Sequence, residues 1–294
     1  MTVFINGLKT ALLLGLMMGL CLAMGYAFGR TDGMLIGLFV GGGMSIVSYF
    51  FSDKIALAAT GAQPVTPQQA PEFYRITSRL AERAGIPMPR LYVSPEPAPN
   101  AFATGRNPAH GVVCVTEGLM RMMNERELEG VIAHEIAHIK HRDILISTVA
   151  AIIAGVISYA AQMLMWFGGG HSRGERDGSP LGMVGALLMM ILAPIAAMLI
   201  QMAISRSREY AADARGAQLA GGPEGLISAL RKLEVGNRQI PMDVPQTQNH
   251  MFIVMPLSGG GGFTELFRTH PMTEKRIAKL LEQMDVANPY ARIA

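Results

Sequence analysis

His134-Glu135-Ile136-Ala137-His138 is the segment from which the rest of the sequence is read. On a helix, positions i and i+4 share a face, so both imidazoles can reach one ion. The helix is signalled from its start: Asn124 is a good N-cap with Glu127 three positions later, and Leu128, Val131, Ile132 and Ile136 recur at helical spacing. Zinc prefers nitrogen ligands, and its catalytic sites keep one position open for water. Glu135 is placed beside the metal and not on it. There a carboxylate can accept a proton from water whose pKa the metal has drawn toward neutrality. The bland alternative is a solvated helix face that happens to carry two histidines.

A third protein ligand is needed, and Glu209-Tyr210-Ala211-Ala212-Asp213 is the best candidate. Glu209 and Asp213 are again i and i+4, so one carboxylate can bind zinc while the other backs a ligand histidine. A surface pair of acids would look the same. His141 and His270 are alternative third ligands; the ring of His141 would have to turn back along its own helix.

Outward from the motif the chain becomes apolar. Four uncharged stretches, about Thr10–Phe28, Met34–Phe51, Ile144–Phe167 and Leu181–Ile204, are each long enough to cross a bilayer as a helix. Glycines at 15, 19, 37, 41, 42 and 43 suit close helix contacts, and Pro194 would kink the fourth span. The alternatives are a cleaved signal peptide for the first stretch and buried core helices for the third and fourth. Composition agrees with a membrane protein: half the 294 residues are hydrophobic, 16% are charged, and the mean hydropathy is +0.29. A net charge of +3 with scattered basic residues excludes a nucleic-acid binder. Two cysteines exclude a disulfide scaffold.

The connections are short on one side, at 29–33 and 168–180, so residues 54–143 and 205–294 share the other face. Lys9, Lys54, Lys140, Arg142, Arg206, Arg208 and Arg215 flank the membrane there, against Arg30, Arg173 and Arg176 in the short loops. That bias points the large face at the cytoplasm. The organisation is therefore a transmembrane hairpin (1–58), the first part of a cytoplasmic domain with the zinc helix (59–143), a second hairpin (144–204), and the rest of the domain (205–294).

The soluble part reads as mixed. Residues 59–69 look like a linker. Phe73, Ile76, Leu80 and Ala84 mark a helix ended by Gly85, and β-like runs follow at Arg90–Val93, Asn100–Thr104 and Val112–Thr116. Further helices are expected at 205–220, 223–235 and 271–285. The fold class is thus a mainly α membrane protein with four transmembrane helices and an α+β zincin-like metalloprotease domain carrying a small β-sheet.

Pro99-Asn100-Ala101-Phe102-Ala103-Thr104-Gly105, His134 to His138, Ser207-Arg208-Glu209-Tyr210-Ala211-Ala212-Asp213 and Thr269-His270-Pro271 occur in this order among the four spans. With them the chain resembles, over essentially its whole length, the HtpX family of membrane-bound heat-shock zinc endopeptidases, gluzincins related to the CAAX prenyl proteases. The resemblance implies one zinc ion per chain on His134, His138 and Glu209, with Glu135 as base. It also implies that the strand Asn100, Ala101, Phe102 and Ala103 pairs with substrate, and that His270 stabilises the oxyanion. Without it, an ordinary strand and a helix-start residue before Pro271 would do as well. It further implies a multi-pass protein of the bacterial inner membrane that degrades misfolded membrane proteins or unfolded polypeptides. Arg276 stays unassigned and homo-oligomerisation stays open. The competing functions are a narrow-specificity processing protease and a membrane scaffold or regulatory protein that keeps zinc without proteolysis. A transporter is disfavoured, because no ionisable residue interrupts a span.

Overall fold

Glycine sets how the chain begins. In this computed structural model, which describes residues 2–143, 146, 149, 153, 206–240, 252–253 and 272–287, α1 (Thr2–Phe50) is two apolar helices run together and turned at Arg30, where φ is 51° and ψ −133°. A Cβ on Gly37 would collide with the Cys21 carbonyl, so the two arms pack backbone to backbone as a hairpin. Ile5–Ala23 and Arg30–Phe50 are long and apolar enough to cross a membrane. Leu12, Ile36 and Phe39 on the outside are 65%, 66% and 78% exposed, an apolar outer face where a solvated helix would be polar.

The expected spans at 144–167 and 181–204 lie outside the described residues apart from Ile146, Val149 and Ile153. Those three are helical, buried, and packed on Leu13 and Met17 of α1. The start of the second apolar pair therefore lies against the first.

The linker expected at 59–69 is partly ordered. The chain leaves α1 through a short helix, α2 (Ser52–Ala59), and forms a two-residue strand, β1 (Gln63–Pro64). Pro64 lacks an N–H, which restricts it to a sheet edge, and β1 is an edge strand. The other strands are β2 (Arg90–Ser94), β3 (Ala101–Thr104) and β4 (Val112–Thr116), in spatial order β1-β2-β4-β3. β2 and β4 are parallel, whereas β1 pairs with β2 and β3 with β4 antiparallel. β4 shows why the sheet is covered on both faces. Val113 and Val115 join the core under α3 (Pro71–Ala84) and α5 (Glu125–His141), while Val112 and Cys114 pack with Ala56, Leu57 and Phe252 on the other side.

α4 (Glu117–Met122) leads to α5, whose capping box forms as expected. Asn124 Oδ1 accepts the Glu127 N–H at 3.0 Å, and the Glu127 carboxylate accepts the Asn124 N–H at 2.9 Å. Glu127 also accepts from Lys232 Nζ and Ser228 Oγ, each at 2.7 Å, which ties α7 (Glu224–Gln239) to the start of α5. α6 (Arg206–Ala220) crosses α5 closely. A Cβ on Gly216 would come within 3.0 Å of the His134 backbone, so only glycine admits this approach. α8 (Thr273–Ala287) begins two residues later than expected. Two charged groups, Arg276 and Asp213, join α8 to α6 through the core.

Candidate metal centre

α5 delivers His134, Glu135 and His138, and the close crossing of α6 brings Glu209 onto them. Ligand atoms of His134, His138 and Glu209 all lie within 4.8 Å of one another. The two Nε2 atoms are 3.2 Å apart, and each lies 3.6 Å from one oxygen of Glu209. Zinc–ligand bonds of 2.0–2.1 Å at tetrahedral angles would place donor atoms about 3.4 Å apart. The three separations bracket that value, and two imidazoles with a carboxylate are donors that zinc takes. The residues fit a zinc ion. His134, Glu135 and Glu209 are buried, whereas 14% of the His138 side chain stays exposed, so the centre opens on that side.

Each histidine is backed by a carboxylate on its other nitrogen. Asp213 Oδ1 lies 2.9 Å from His134 Nδ1, as the Glu-x-x-x-Asp spacing led one to expect. Asp143 Oδ2 lies 3.2 Å from His138 Nδ1, and this partner was not foreseen. The chain makes the second contact by breaking α5. Arg142 takes a left-handed conformation (φ 58°, ψ 34°), and helical backbone resumes at Asp143. That single non-helical residue turns Asp143 back toward His138. A non-glycine residue in this region costs about 1 kcal/mol or more, which places local strain beside the site.

Both backing carboxylates feel a guanidinium, Arg276 at Asp213 and Arg208 at Asp143. Asp213 receives Arg276 Nε at 2.8 Å and a second guanidinium nitrogen at 2.6 Å. Burial would raise its carboxyl, but Arg276 and His134 outweigh burial and hold it down at about 2. With that charge already matched, burial dominates at His134, which is pushed down to about 4. His138 goes the other way. Burial disfavours its cation, yet Glu209, Asp143 and Glu135 overcome it and raise the ring to about 9. Burial raises Glu135 to about 7, which poises it for proton exchange near neutrality.

The remaining expected residues fall into three groups. His141 ends α5 and is not among the clustered ligand atoms, so it drops out as a third ligand. His270 lies outside the described residues. Ala101, Phe102 and Ala103 form the edge strand β3, with Asn100 just before it. The outer side of β3 is already engaged: the Ala101 carbonyl accepts the Ile253 N–H at 3.0 Å, and the Ala103 backbone hydrogen-bonds Glu135. Phe252 stacks edge-on against Phe102, with ring centroids 5.5 Å apart. Arg276, unassigned from sequence, is the largest fully buried side chain among the described residues and also donates to the Ile253 carbonyl at 2.7 Å. Its signal was present: it lies four residues before Leu280 on the buried stripe of α8, where a charge is out of place.

Residues 67–284 match the sequence profile of Peptidase family M48. A Protease HtpX homolog from Desulfatibacillum aliphaticivorans is 57% identical over 241 residues, covering 81% of this chain and 77% of the relative. Another, from Pelotomaculum thermopropionicum, is 51% identical over 241 residues, covering 81% of this chain and 85% of the relative. Among solved structures, S. mikatae Ste24p shares the fold with a TM-score of 0.50 at 19% identity. That alignment covers 95% of this chain and 66% of the Ste24p chain, just under two thirds. A buried His-His-Glu cluster on crossed helices, within a matched profile and beside relatives at this identity, leaves one assignment: the chain belongs to peptidase family M48, among its HtpX proteases, and is a metalloprotease.

Proposed function

We propose that the chain is a zinc-dependent, membrane-bound endopeptidase in which Glu135 is the general base. The convergence of His134, His138 and Glu209 beside a buried glutamate held near neutral pKa carries this reading. Zinc held by these three groups supplies a Lewis acid that polarises the scissile carbonyl and draws the pKa of water down. Glu135 accepts the proton of the attacking water and returns it to the departing amine, a double role that suits a carboxyl titrating near 7. Asp213 and Asp143 fix the two rings with Nε2 toward the metal. The peptide lies extended along Asn100, Ala101, Phe102 and Ala103. The Ile253 N–H now on the Ala101 carbonyl occupies that edge as a strand partner would, and the substrate backbone takes its place there. His270 serves as donor to the oxyanion.

Two apolar arms in α1 and the basic bias of the long segments support a multi-pass protein of a bacterial inner membrane with its catalytic side in the cytoplasm. Its substrates are misfolded membrane proteins or unfolded polypeptides, which an extended-strand cleft accepts without demanding a folded surface. The test is Glu135→Gln. The variant should retain its zinc and lose cleavage of casein, because the change removes the proton acceptor and leaves all three ligands. Near-wild-type turnover with full zinc content would remove Glu135 from this role and leave a metal site without the proposed chemistry.

A further inference from the structure

Asn6 stands near the start of the first membrane helix, before the uncharged run begins at Thr10, and is only 3% exposed. A buried amide in such a helix is unfavourable unless its hydrogen bonds are made. The N–H groups of the Asn6 amide go to one place. Its Nδ2 donates to the His141 carbonyl at 2.9 Å and to Asp143 Oδ1 at 2.7 Å. Both partners are acceptors, which fixes the orientation of the amide. The two lie on either side of Arg142, the left-handed residue that breaks α5. Asn6 therefore clamps the break from both ends. The second oxygen of Asp143 is the one that meets His138 Nδ1.

We propose that Asn6 is a positioning residue for the metal centre, holding Asp143 so that His138 presents Nε2 to the metal, and that the first membrane helix is thereby part of the metal site. The contact is specific to this polarity. Asp143 gives one oxygen to a ring N–H and the other to an amide N–H, and losing the amide removes one of the contacts that fix how the carboxylate is turned toward the ring. Leu13 and Met17, on the same helix, pack on Ile146, Val149 and Ile153, which follow Asp143. The apolar contact sets the distance between the two helices, and Asn6 uses that distance to aim the carboxylate. The inference rests on the zinc site proposed above, but concerns how tightly the metal is held and not whether peptide bonds are cut.

The test uses the full chain in detergent, stripped of metal, with zinc affinity measured by competition against a chromophoric chelator. Partners behind a metal ligand are worth about 10–100-fold in affinity. Asp143→Asn should fall in that range, and Asn6→Leu should weaken zinc about tenfold. The metal-free melting temperature of Asn6→Leu should stay close to wild type. Asn6→Asp keeps the side-chain volume, sets a like charge against Asp143, and carries the measurement if Asn6→Leu does not fold. Because Asn6 acts through Asp143, adding Asn6→Leu to Asp143→Asn should cost little more. The exchange Asn6→Asp/Asp143→Asn reverses the polarity of the bond and should bind zinc more tightly than Asn6→Asp alone. Wild-type affinity in both Asn6 variants, or fully additive losses with no recovery on exchange, would overturn the proposal. A wild-type chain that holds no zinc would instead overturn the zinc reading itself, and cleavage retained by Glu135→Gln would overturn only the catalytic one.

Discussion

Removing the guanidinium of Arg276 should be the most damaging single change outside the metal ligands. Its side chain is 1% exposed and that of Asp213 3%, and the pair is joined by two hydrogen bonds of 2.6 and 2.8 Å. Arg276→Met keeps much of the length and all of the apolar stem but leaves the buried Asp213 carboxylate without its cation. Breaking a buried pair from one side costs about 3–5 kcal/mol. For a domain of this size that corresponds to a melting temperature lower by about 10 °C, read by a thermal shift assay in detergent with chelator present. Arg276→Lys, which keeps the charge and loses the fork, should fall between.

The pH dependence follows from Asp213, whose carboxyl is held below the usual range, at about 2. A depressed carboxylate contributes stability that is full above its unfolded value of about 3.9 and is lost as pH falls through the folded value. The difference between wild type and Arg276→Met should therefore be widest near neutrality and should close on acidification, because a protonated Asp213 needs no cation. Asp213→Asn in the Arg276→Met background should recover part of the loss for the same reason. A melting temperature for Arg276→Met within about 2 °C of wild type at pH 7, or no recovery from Asp213→Asn, would show that the carboxylate is neutral or solvated and that the magnitude taken from buried pairs was misapplied.

Glu209→Ala should lose most of its zinc, measured by metal analysis of the purified protein; an unchanged zinc content would send the third-ligand assignment to His270. Neutral imidazoles bind metal, so with His138 raised to about 9 and His134 lowered to about 4, loading between pH 6 and 8 should release one proton. Apparent zinc affinity should then rise about tenfold per pH unit, and titrations at three pH values that show no slope would contradict the assignment. Gly37→Leu should force the arms of α1 apart and lower the melting temperature. Gly43→Leu, where a Cβ meets nothing within 4 Å, should be silent, and equal effects would dismiss backbone packing as the cause. A reporter that fluoresces only in the cytoplasm should light up when fused after Ala294 and stay dark within 168–180; the reverse pattern would overturn the topology drawn from flanking charge.

Local periodicity and local chemistry made part of the fold legible in the sequence. Asn124 with Glu127 announces α5, and both the cap and the helix form. The β2 and β4 runs alternate between two covered faces, and the strands lie within a residue of where the pattern put them. His134, His138, Glu209 and Asp213 were readable because each pair is i,i+4 on one helix, so that only one long-range event, the crossing of α6 on α5, was needed to complete the site. The segment 59–69 misled because Pro and Gln resemble a linker. Yet Pro64 sits on a sheet edge, where a missing N–H costs nothing, and the partner that makes it a strand is nearly thirty residues away, at Tyr92.

Asp143 and Asn6 were hidden for a different physical reason. Asp143 is five residues from His138, a spacing that an unbroken helix puts on another face, so helical geometry argues against the contact. Only the left-handed turn at Arg142 allows it, and nothing in an arginine foretells positive φ. Asn6 is further removed, because its partner is 137 residues away and the pairing depends on which faces of two apolar helices meet. In lipid those faces are nearly equivalent by hydrophobicity, so the apolar pattern that places a soluble helix carries little orientation here. The asymmetry at the centre has the same origin. Burial wins at His134, where Arg276 of α8 already matches Asp213, whereas at His138 Glu209 of α6 and then Asp143, itself held by Asn6 of α1, outweigh burial. The histidine motif places two imidazoles on one ion; the chemistry of each is decided by groups on helices that the motif does not contain.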